Sequence, residues 1–581
     1  MLTRYPAYAP KTRPRSDAGA HDAPTHTDGI MRRRVFSLVG VLRLAALALL
    51  LVSPAFAQPA SRISISTNAD EIGSLLQQGR QLEMNERWGE ALSHYEEAIR
   101  QFPHDVSLHR RFDFARLHFD LGRRYADGSF CEMVESLPIV DSLELYSQVL
   151  AKIESHYVEV TNWKELIERG TNSFEVALNE PAFLARNLPE QDRAAIDRFR
   201  GELRRVLGPK VIATRGDARQ AVSTAAVLAR QRLGICPAAV VLEYLCGATN
   251  ALDVYSAYLT PNQLDEVYSQ IEGNFVGLGI ELKAHDSELL IVCVIPGSPA
   301  ELAGMLAGDR ILSVDGQPTA ELSTDEAANL LQGRAGSIVR LGVITPNRQP
   351  RTLVIQRRRV DVPSIDDAEI IDRDYGVGYL RLVCFQKTTC RDMEAALWKL
   401  HREGMKRLII DLRGNPGGLL VTAVEVADKF LSRGTIVSTR GRDSREDFTY
   451  PAHVSGTWRV PLVVLIDHDS ASAAEIFAGA IRDHRRGTIV GERSYGKGSV
   501  QGIFPLDVSA AGLRLTTAKF YSPTGRAYSR VGVEPDVLVH TSSKPAGDTV
   551  TISASAEDAV LSAALQTART LGQPQQVRNL R

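Results

Sequence analysis

Between Tyr375 and Glu492 the sequence alternates short apolar runs with amphipathic ones, and this alternation restricts the fold more than any other feature. VGYLRLVCF, KRLIIDLR, PLVVLID and TIVGE read as strands, and LIID and LVVLI within them are apolar on both faces. RDMEAALWKLHREG, LLVTAVEVADKFLSRG and ASAAEIFAGAIRDHRRG read as helices between them, each closing on a glycine. A strand that is apolar on both faces needs cover on both sides, and helical crossovers supply it. The expected product is a parallel or mixed sheet of right-handed β-α-β units.

Chemistry in such sheets collects at the carboxyl ends of the strands. Two turns fall there. In the first, Ser470-Ala471-Ser472-Ala473-Ala474-Glu475 follows PLVVLID and opens a helix. Ser472-x-x-Glu475 is a capping box, which accounts for both residues without any chemistry. The same position also suits a nucleophile. The Ser472 hydroxyl would sit at the positive end of a helix dipole, and the Ala473 N–H, lacking a partner inside the helix, is placed to bind an oxyanion. In the second turn, Asp411-Leu412-Arg413-Gly414-Asn415-Pro416-Gly417-Gly418, the glycines can offer a further backbone donor without side-chain obstruction. The sequence does not choose between Gly417 and Gly418.

GERSYGKGSVQ, from Gly491 to Gln501, resembles a phosphate-binding loop but fails its template. The position after Lys497 is Gly498 rather than a magnesium-holding Ser or Thr, and the β-rich SVQGIFPLDV follows in place of a helix. Lys497 therefore needs another task. One helix and one strand separate it from Ser472, a path that returns to the same sheet edge. A serine nucleophile needs a base. His484 and Asp483 lie at the far end of the helix, about 18 Å away at a rise of roughly 1.5 Å per residue. His468, just upstream, remains within reach. Ser–Lys dyads are an established variant of the triad, and they require the amine to be neutral, so burial must hold its pKa far below the ordinary lysine value.

Upstream, GNFVGLGIEL and LLIVCVIPGSPAELAGMLAGDRILSVDGQPTAEL look like a PDZ domain over about 270–358. Gly277-Leu278-Gly279-Ile280 matches the loop whose N–H groups converge on a terminal carboxylate, beside a strand that accepts a peptide as an added strand. Residues 107–268 read as mostly helical, closing with ALDVYSAYLTP as a turn and a Thr-Pro stop. Residues 72–105 read as a helical hairpin. Gly79, Ala91, Tyr95, Ala98 and Pro103 follow the spacing of a tetratricopeptide repeat, although solenoids need about three copies. Met31-Arg32-Arg33-Arg34, the apolar Leu44–Val52 and Ala55-Phe56-Ala57 form a signal peptide with an A-x-A site, and they suggest a true start at Met31. The apolar run is shorter than the about 18 residues that a span needs, so cleavage is favoured over an uncleaved anchor. Export permits disulfides. Cys236–Cys246 and Cys384–Cys390 are conceivable pairs, and free thiols the alternative. With 68 basic and 69 acidic residues, the charge points to no nucleic-acid partner.

DLRGNPGG, SASAAEIFAGAIRDH, GERSYGKGSVQ and LTTAKFYSPTGRAYSRVGVEPD, in this order after a PDZ domain, resemble the C-terminal processing peptidases, also called tail-specific proteases. The resemblance runs from about 250 to 540. It implies a multidomain α+β protein with a helical N-terminal region, a PDZ β-sandwich or barrel-like domain, and a ClpP/crotonase-like α/β core. It also implies a serine endopeptidase that cleaves near unstructured C-termini, with no metal and no cofactor. Ser472 matches the nucleophile, Lys497 the general base and Gln501 the residue that orients the lysine; Ala473 and one of Gly417 and Gly418 match the oxyanion donors. Ala474 stands where many members have a second serine, and His468-Asp469 and Tyr528-Ser529-Arg530 also depart from the pattern. Residues 180–250 look like an insertion.

The expected organisation is an upstream extension and signal peptide over 1–57, the hairpin region over 58–130 and a helical region over 131–269. The PDZ domain follows over 270–358, the peptidase core over 359–545 and a tail with a helix over 546–581. The expected location is the periplasm or cell envelope. The expected partners are polypeptides with free or disordered C-termini and an adaptor or envelope protein at the hairpin, with at most a signal-anchor contact to membrane. The rival reading is a catalytically inactive PDZ scaffold of the envelope.

Overall fold

Gly79 and Tyr95 decide how the first helices meet. The computed structural model describes residues 68–571 apart from 189–191, 286–287, 320–329, 332, 334, 454–456 and 541–557. In it, α1 (Asn68–Met84) lies against α2 (Trp88–Gln101) so closely that a Cβ on Gly79 would run into the Tyr95 ring. The Tyr95 hydroxyl donates to Glu83 Oε1 at 2.7 Å. A third helix, α3 (Val106–Ala126), is capped by Asp105 and closes a small core of Ala91, Tyr95, Ala98, Leu108 and Ala115. The expected hairpin is thus part of a three-helix unit. The segment expected to be a signal peptide lies outside the described residues, and among the described residues no helix is long and apolar enough to cross a membrane.

Further helices fill Gly128 to Asn250 around Pro237–Asn250, which is buried along nearly its whole length. Phe174 packs edge-on against Phe183 and Phe199. One buried ion pair, Arg124 with Glu243 at 2.8 Å, crosses this core. The core also takes in Leu506, Leu513 and Leu515, so the helical region is packed onto the sheet that follows the lysine turn. All six cysteines are free, and neither conceivable pair is joined.

ALDVYSAYLTP does not end as expected. Ala257–Leu259 is a strand, β1, and Thr260-Pro261 begins a helix, Pro261–Glu272, instead of stopping one. The reason is local: proline at the first helical position loses no hydrogen bond, and Thr260 forms a capping box with Gln263.

β2 (Asn274–Gly277) pairs with β9 (Arg358–Asp361), and between them lies a sheet of β3 (Ile280–His285), β4 (Glu288–Val294), β5 (Arg310–Val314), β7 (Ile338–Ile344) and β8 (Arg351–Gln356), with β6 (Gln317–Pro318) on β5. Its core is Ile291, Ile311, Val339, Leu341 and Val343.

The next sheet runs β10-β11-β12-β15-β16-β19, formed by Ile365–Asp372, Val377–Leu382, Arg407–Asp411, Leu462–Ile466, Thr488–Gly491 and Val537–Leu538. All neighbours from β11 onward are parallel. Alternation along β12 explains its double cover. Leu408 and Ile410 face the helices Thr389–Arg402, Leu420–Asp428 and Ala473–Asp483, while Ile409 faces the late helix Ala559–Thr570. A second sheet, β1-β18-β13-β14, with β13 (Thr435–Gly441), β14 (Phe448–Pro451), β17 (Ser499–Pro505) and β18 (Gly512–Tyr521), carries β17 on β18.

Candidate active site

All five residues of β15 are buried, and the chain leaves it through a tightly bonded turn. Asp467 Oδ1 accepts from Gly414 N–H at 3.0 Å and from Ser470 N–H at 3.0 Å. Ala471 N–H donates to Asn415 O at 2.9 Å. The two turns singled out in the sequence are therefore laced together. At the end of this turn Ser472 adopts φ 55° and ψ −113°, a left-handed conformation that L-residues avoid. Ser472 is half-buried, whereas Ala473 through Ile481 are buried. A strained serine at a strand-to-helix turn is the geometry that exposes a nucleophile.

Glu475 does more than cap this helix. It is 0 % exposed. Its Oε2 accepts from Ser472 N–H at 2.7 Å and from Lys497 N–H at 2.9 Å. Its Oε1 accepts from Gly496 N–H at 2.7 Å and from Ser494 Oγ at 2.6 Å. Ser472 and Lys497 thus have their backbones joined through one carboxylate oxygen. Burial pushes the Glu475 carboxyl above its usual range, although all four hydrogen bonds pull the other way. In the sequence the capping box alone accounts for Glu475. Its one visible signal is an acidic residue within the apolar run AAEIFAGAI.

The glycines around Lys497 allow a close backbone approach: a Cβ on Gly496 would meet the Arg530 backbone. A Cβ on Gly498 would strike the Ser529 backbone, so the two glycines let the turn lie against Tyr528–Arg530. The Lys497 ammonium stands over the ring of Tyr255, 4.9 Å from its centroid. Burial holds its pKa below the ordinary value, helped by Arg514, while Glu475 and Asp253 oppose. Among the described residues its Nζ donates no hydrogen bond to Ser472 or Gln501. Gln501, on β17, instead donates to Ser499 O at 3.1 Å and Ser499 Oγ at 2.9 Å.

Gly417 presses on the nucleophile turn. A Cβ there would lie 2.7 Å from Ser472 Cβ and 2.8 Å from Ala473 N. Its N–H is occupied by Asn415 Oδ1 at 2.8 Å. The N–H groups of Gly418 and Ala473 have no partner among the described residues. His484 Nε2 is bonded to Thr435 O at 2.7 Å, and Asp483 pairs with Arg526 and Thr524, so both are engaged away from Ser472. His468 is exposed and faces Asp469 and Glu492.

The other predicted site stands apart. Gly277 ends β2 and Ile280 begins β3, with Leu278 buried between them. Gly279 has φ 80°, and a Cβ on it would strike Ser298. Among the described residues β3 pairs only with β4, which leaves its other edge unpaired. A structural path joins the two regions. Lys387 N–H donates to Ile271 O at 3.0 Å, in the helix leading into β2, and Phe385 N–H donates to Gly417 O at 2.8 Å.

The model of peptidase family S41 matches residues 376–539, and a PDZ domain model matches 290–345. A carboxy-terminal-processing protease of Bartonella bacilliformis is 39% identical over 310 residues, covering 50% of this chain and 68% of that protein. A carboxyl-terminal-processing protease of Picosynechococcus sp. is 35% identical over 292 residues, covering 49% of this chain and 70% of the relative. Among solved structures, the photosystem II D1 C-terminal processing protease is 25% identical over 68% of this chain and 92% of its own, with a TM-score of 0.37. The chain belongs to the carboxyl-terminal-processing proteases of peptidase family S41, serine-type peptidases, and carries a PDZ domain.

Proposed function

We propose that this protein cleaves polypeptides near their unstructured C-termini, with Ser472 as nucleophile and Lys497 as general base. The observation that carries this reading is the Glu475 carboxylate, which ties the Ser472 and Lys497 backbones together at a helix N-terminus. Lys497 leaves the Tyr255 ring, gives up its proton to solvent and takes the Ser472 Oγ proton as Oγ attacks the scissile carbonyl. Gln501 turns from Ser499 to steady the amine. The oxyanion is held by the Ala473 and Gly418 N–H groups, which have no partner among the described residues. The C–N bond breaks as Lys497 returns the proton to the leaving amine. Lys497 then draws a proton from water as the oxygen adds to the acyl carbon, and returns it to Ser472 Oγ as the ester C–Oγ bond breaks.

The substrate tail adds to the unpaired edge of β3, with its carboxylate at Gly277–Ile280. The signal segment sends the protein to the periplasm or cell envelope, where the helical hairpin receives an adaptor or envelope protein. Incubation with casein tests the chemistry: Ser472→Ala and Lys497→Ala should each abolish cleavage while the protein still folds. Cleavage retained by the purified lysine variant overturns the assigned base. Equal silence of the parent and both variants favours the scaffold reading.

A further inference from the structure

Tyr495 stands two positions before Lys497, and it is held at both ends. Its N–H donates to Ser470 O at 3.0 Å, in the turn that leads to Ser472. Its hydroxyl donates at 2.8 Å to Glu96 Oε1 on α2. Arg100, one turn further along α2, covers its ring at 5.1 Å from the centroid. The Tyr495 side chain also meets the Tyr255 hydroxyl. Tyr255 is fixed in turn: its N–H donates to Asp253 Oδ1 at 2.7 Å, and its carbonyl accepts from Arg514 Nε at 2.8 Å. On the Tyr255 ring lies the Lys497 ammonium. A continuous set of contacts therefore runs from the N-terminal hairpin to the lysine.

The last contact has a chemical sense. An aromatic ring attracts a lysine only while the amine is charged, whereas a general base must be neutral. The place over Tyr255 therefore belongs to the protonated, non-reacting lysine. We infer that Tyr255 and Tyr495 are positioning residues for Lys497, and that Glu96 on the hairpin sets them, holding the lysine off Ser472 until the hairpin lets go. This inference rests on the reading of Lys497 as the base. The charged groups facing the lysine are Arg514 on β18, Glu475 on the nucleophile helix and Asp253 before β1. Those facing Tyr495 are Glu96 and Arg100 on α2. Arg116 and Asp120 of α3 face Arg514.

The test uses the full chain with Glu96→Ala, Glu96→Gln, Tyr495→Phe and Tyr255→Leu. Two readouts are taken: kcat and KM on casein, and the pH midpoint at which acetic anhydride labels Lys497, followed by mass spectrometry. Glu96→Ala and Tyr495→Phe should raise kcat roughly two- to fivefold at constant KM, the factor a partly exposed cation–π contact represents. Glu96→Gln, which still accepts a hydrogen bond, should return kcat towards the parent. Tyr255→Leu should move the acidic limb of kcat and the labelling midpoint to lower pH. A labelling midpoint equal in the parent, Glu96→Ala and Tyr255→Leu overturns the inference, as does a fall in kcat for a Glu96→Ala protein that melts like the parent. If the parent shows no Ser472-dependent cleavage, the Ser–Lys reading fails by itself, and the labelling midpoints still decide whether the hairpin holds the lysine.

Discussion

Gly417→Ala is the smallest change that reaches the proposed nucleophile without altering Ser472 itself. The added methyl would sit 2.7 Å from Ser472 Cβ, 2.8 Å from Ala471 O and 2.8 Å from Ala473 N. None of these neighbours is the loose end of a side chain; all belong to the turn that sets Ser472. Gly417 also has φ 102°, where alanine is strained by about 1–3 kcal/mol. Relieving the crowding adds about 1–3 kcal/mol. The variant should therefore melt several degrees lower, at about 2–4 °C per kcal/mol for a unit of this size. The turn carrying Ser472 and the Ala473 N–H must shift by several tenths of an ångström. A misplacement of about 1 Å costs on the order of 10²-fold, so kcat on casein should fall between about tenfold and a hundredfold. KM should stay close to the parent value, because the edge of β3 proposed to bind the tail lies elsewhere. Melting and steady-state kinetics on one preparation check both parts. A variant that melts lower yet keeps kcat within about twofold of the parent would refute the claim that this contact fixes the reacting serine.

Four further outcomes follow from the geometry and the proposed recognition. Burial depresses the Lys497 pKa, so kcat should rise with pH through a midpoint below the usual 10.5; an acidic limb at or above that value contradicts the burial argument. The sign for stability is opposite to that of a paired lysine: the penalty on the buried ammonium is full below the depressed pKa and fades as pH rises towards 10.5. A Lys497→Met protein should thus gain most over the parent at neutral pH, and the gap in melting temperature should narrow in alkali. Arg124→Met leaves Glu243 buried at 0 % exposure without its cation and should cost about 3–5 kcal/mol in urea unfolding, most of it recovered by adding Glu243→Leu. A substrate amidated at its C-terminus should be cut more slowly than its free-acid twin in competition; equal rates remove the carboxylate from the recognition proposed at Gly277–Ile280.

The parts of the fold visible in the sequence are those whose identity is local. β12 and β15 carry apolar residues on both faces, and the helix Ala473–Asp483 has its own turn and its own period, so each announces itself within ten residues or so. β1 does not. Ala257–Leu259 becomes a strand because β18 pairs with it, from the far side of the PDZ domain in sequence. Read alone, its Thr260-Pro261 end looks like a stop, although the same pair starts a helix when Gln263 completes the cap.

The site divides along the same line. The positions of Ser472 and Lys497 follow from one β-α-β step, which depends only on the order of elements. What acts on them comes from elsewhere in the chain. Glu475 was concealed by sufficiency: a capping box already explained it, so nothing in the sequence called for the donors that Ser494, Gly496 and Lys497 bring. The choice between Gly417 and Gly418 turns on which N–H Asn415 occupies, a side-chain decision invisible to spacing. The place of the Lys497 amine is set by Tyr255 and, through Tyr495, by the hairpin. A reading limited to order and spacing therefore finds the residues proposed to react and misses the contacts proposed to hold them, because such contacts are tertiary and their partners are ordinary residues in any local window.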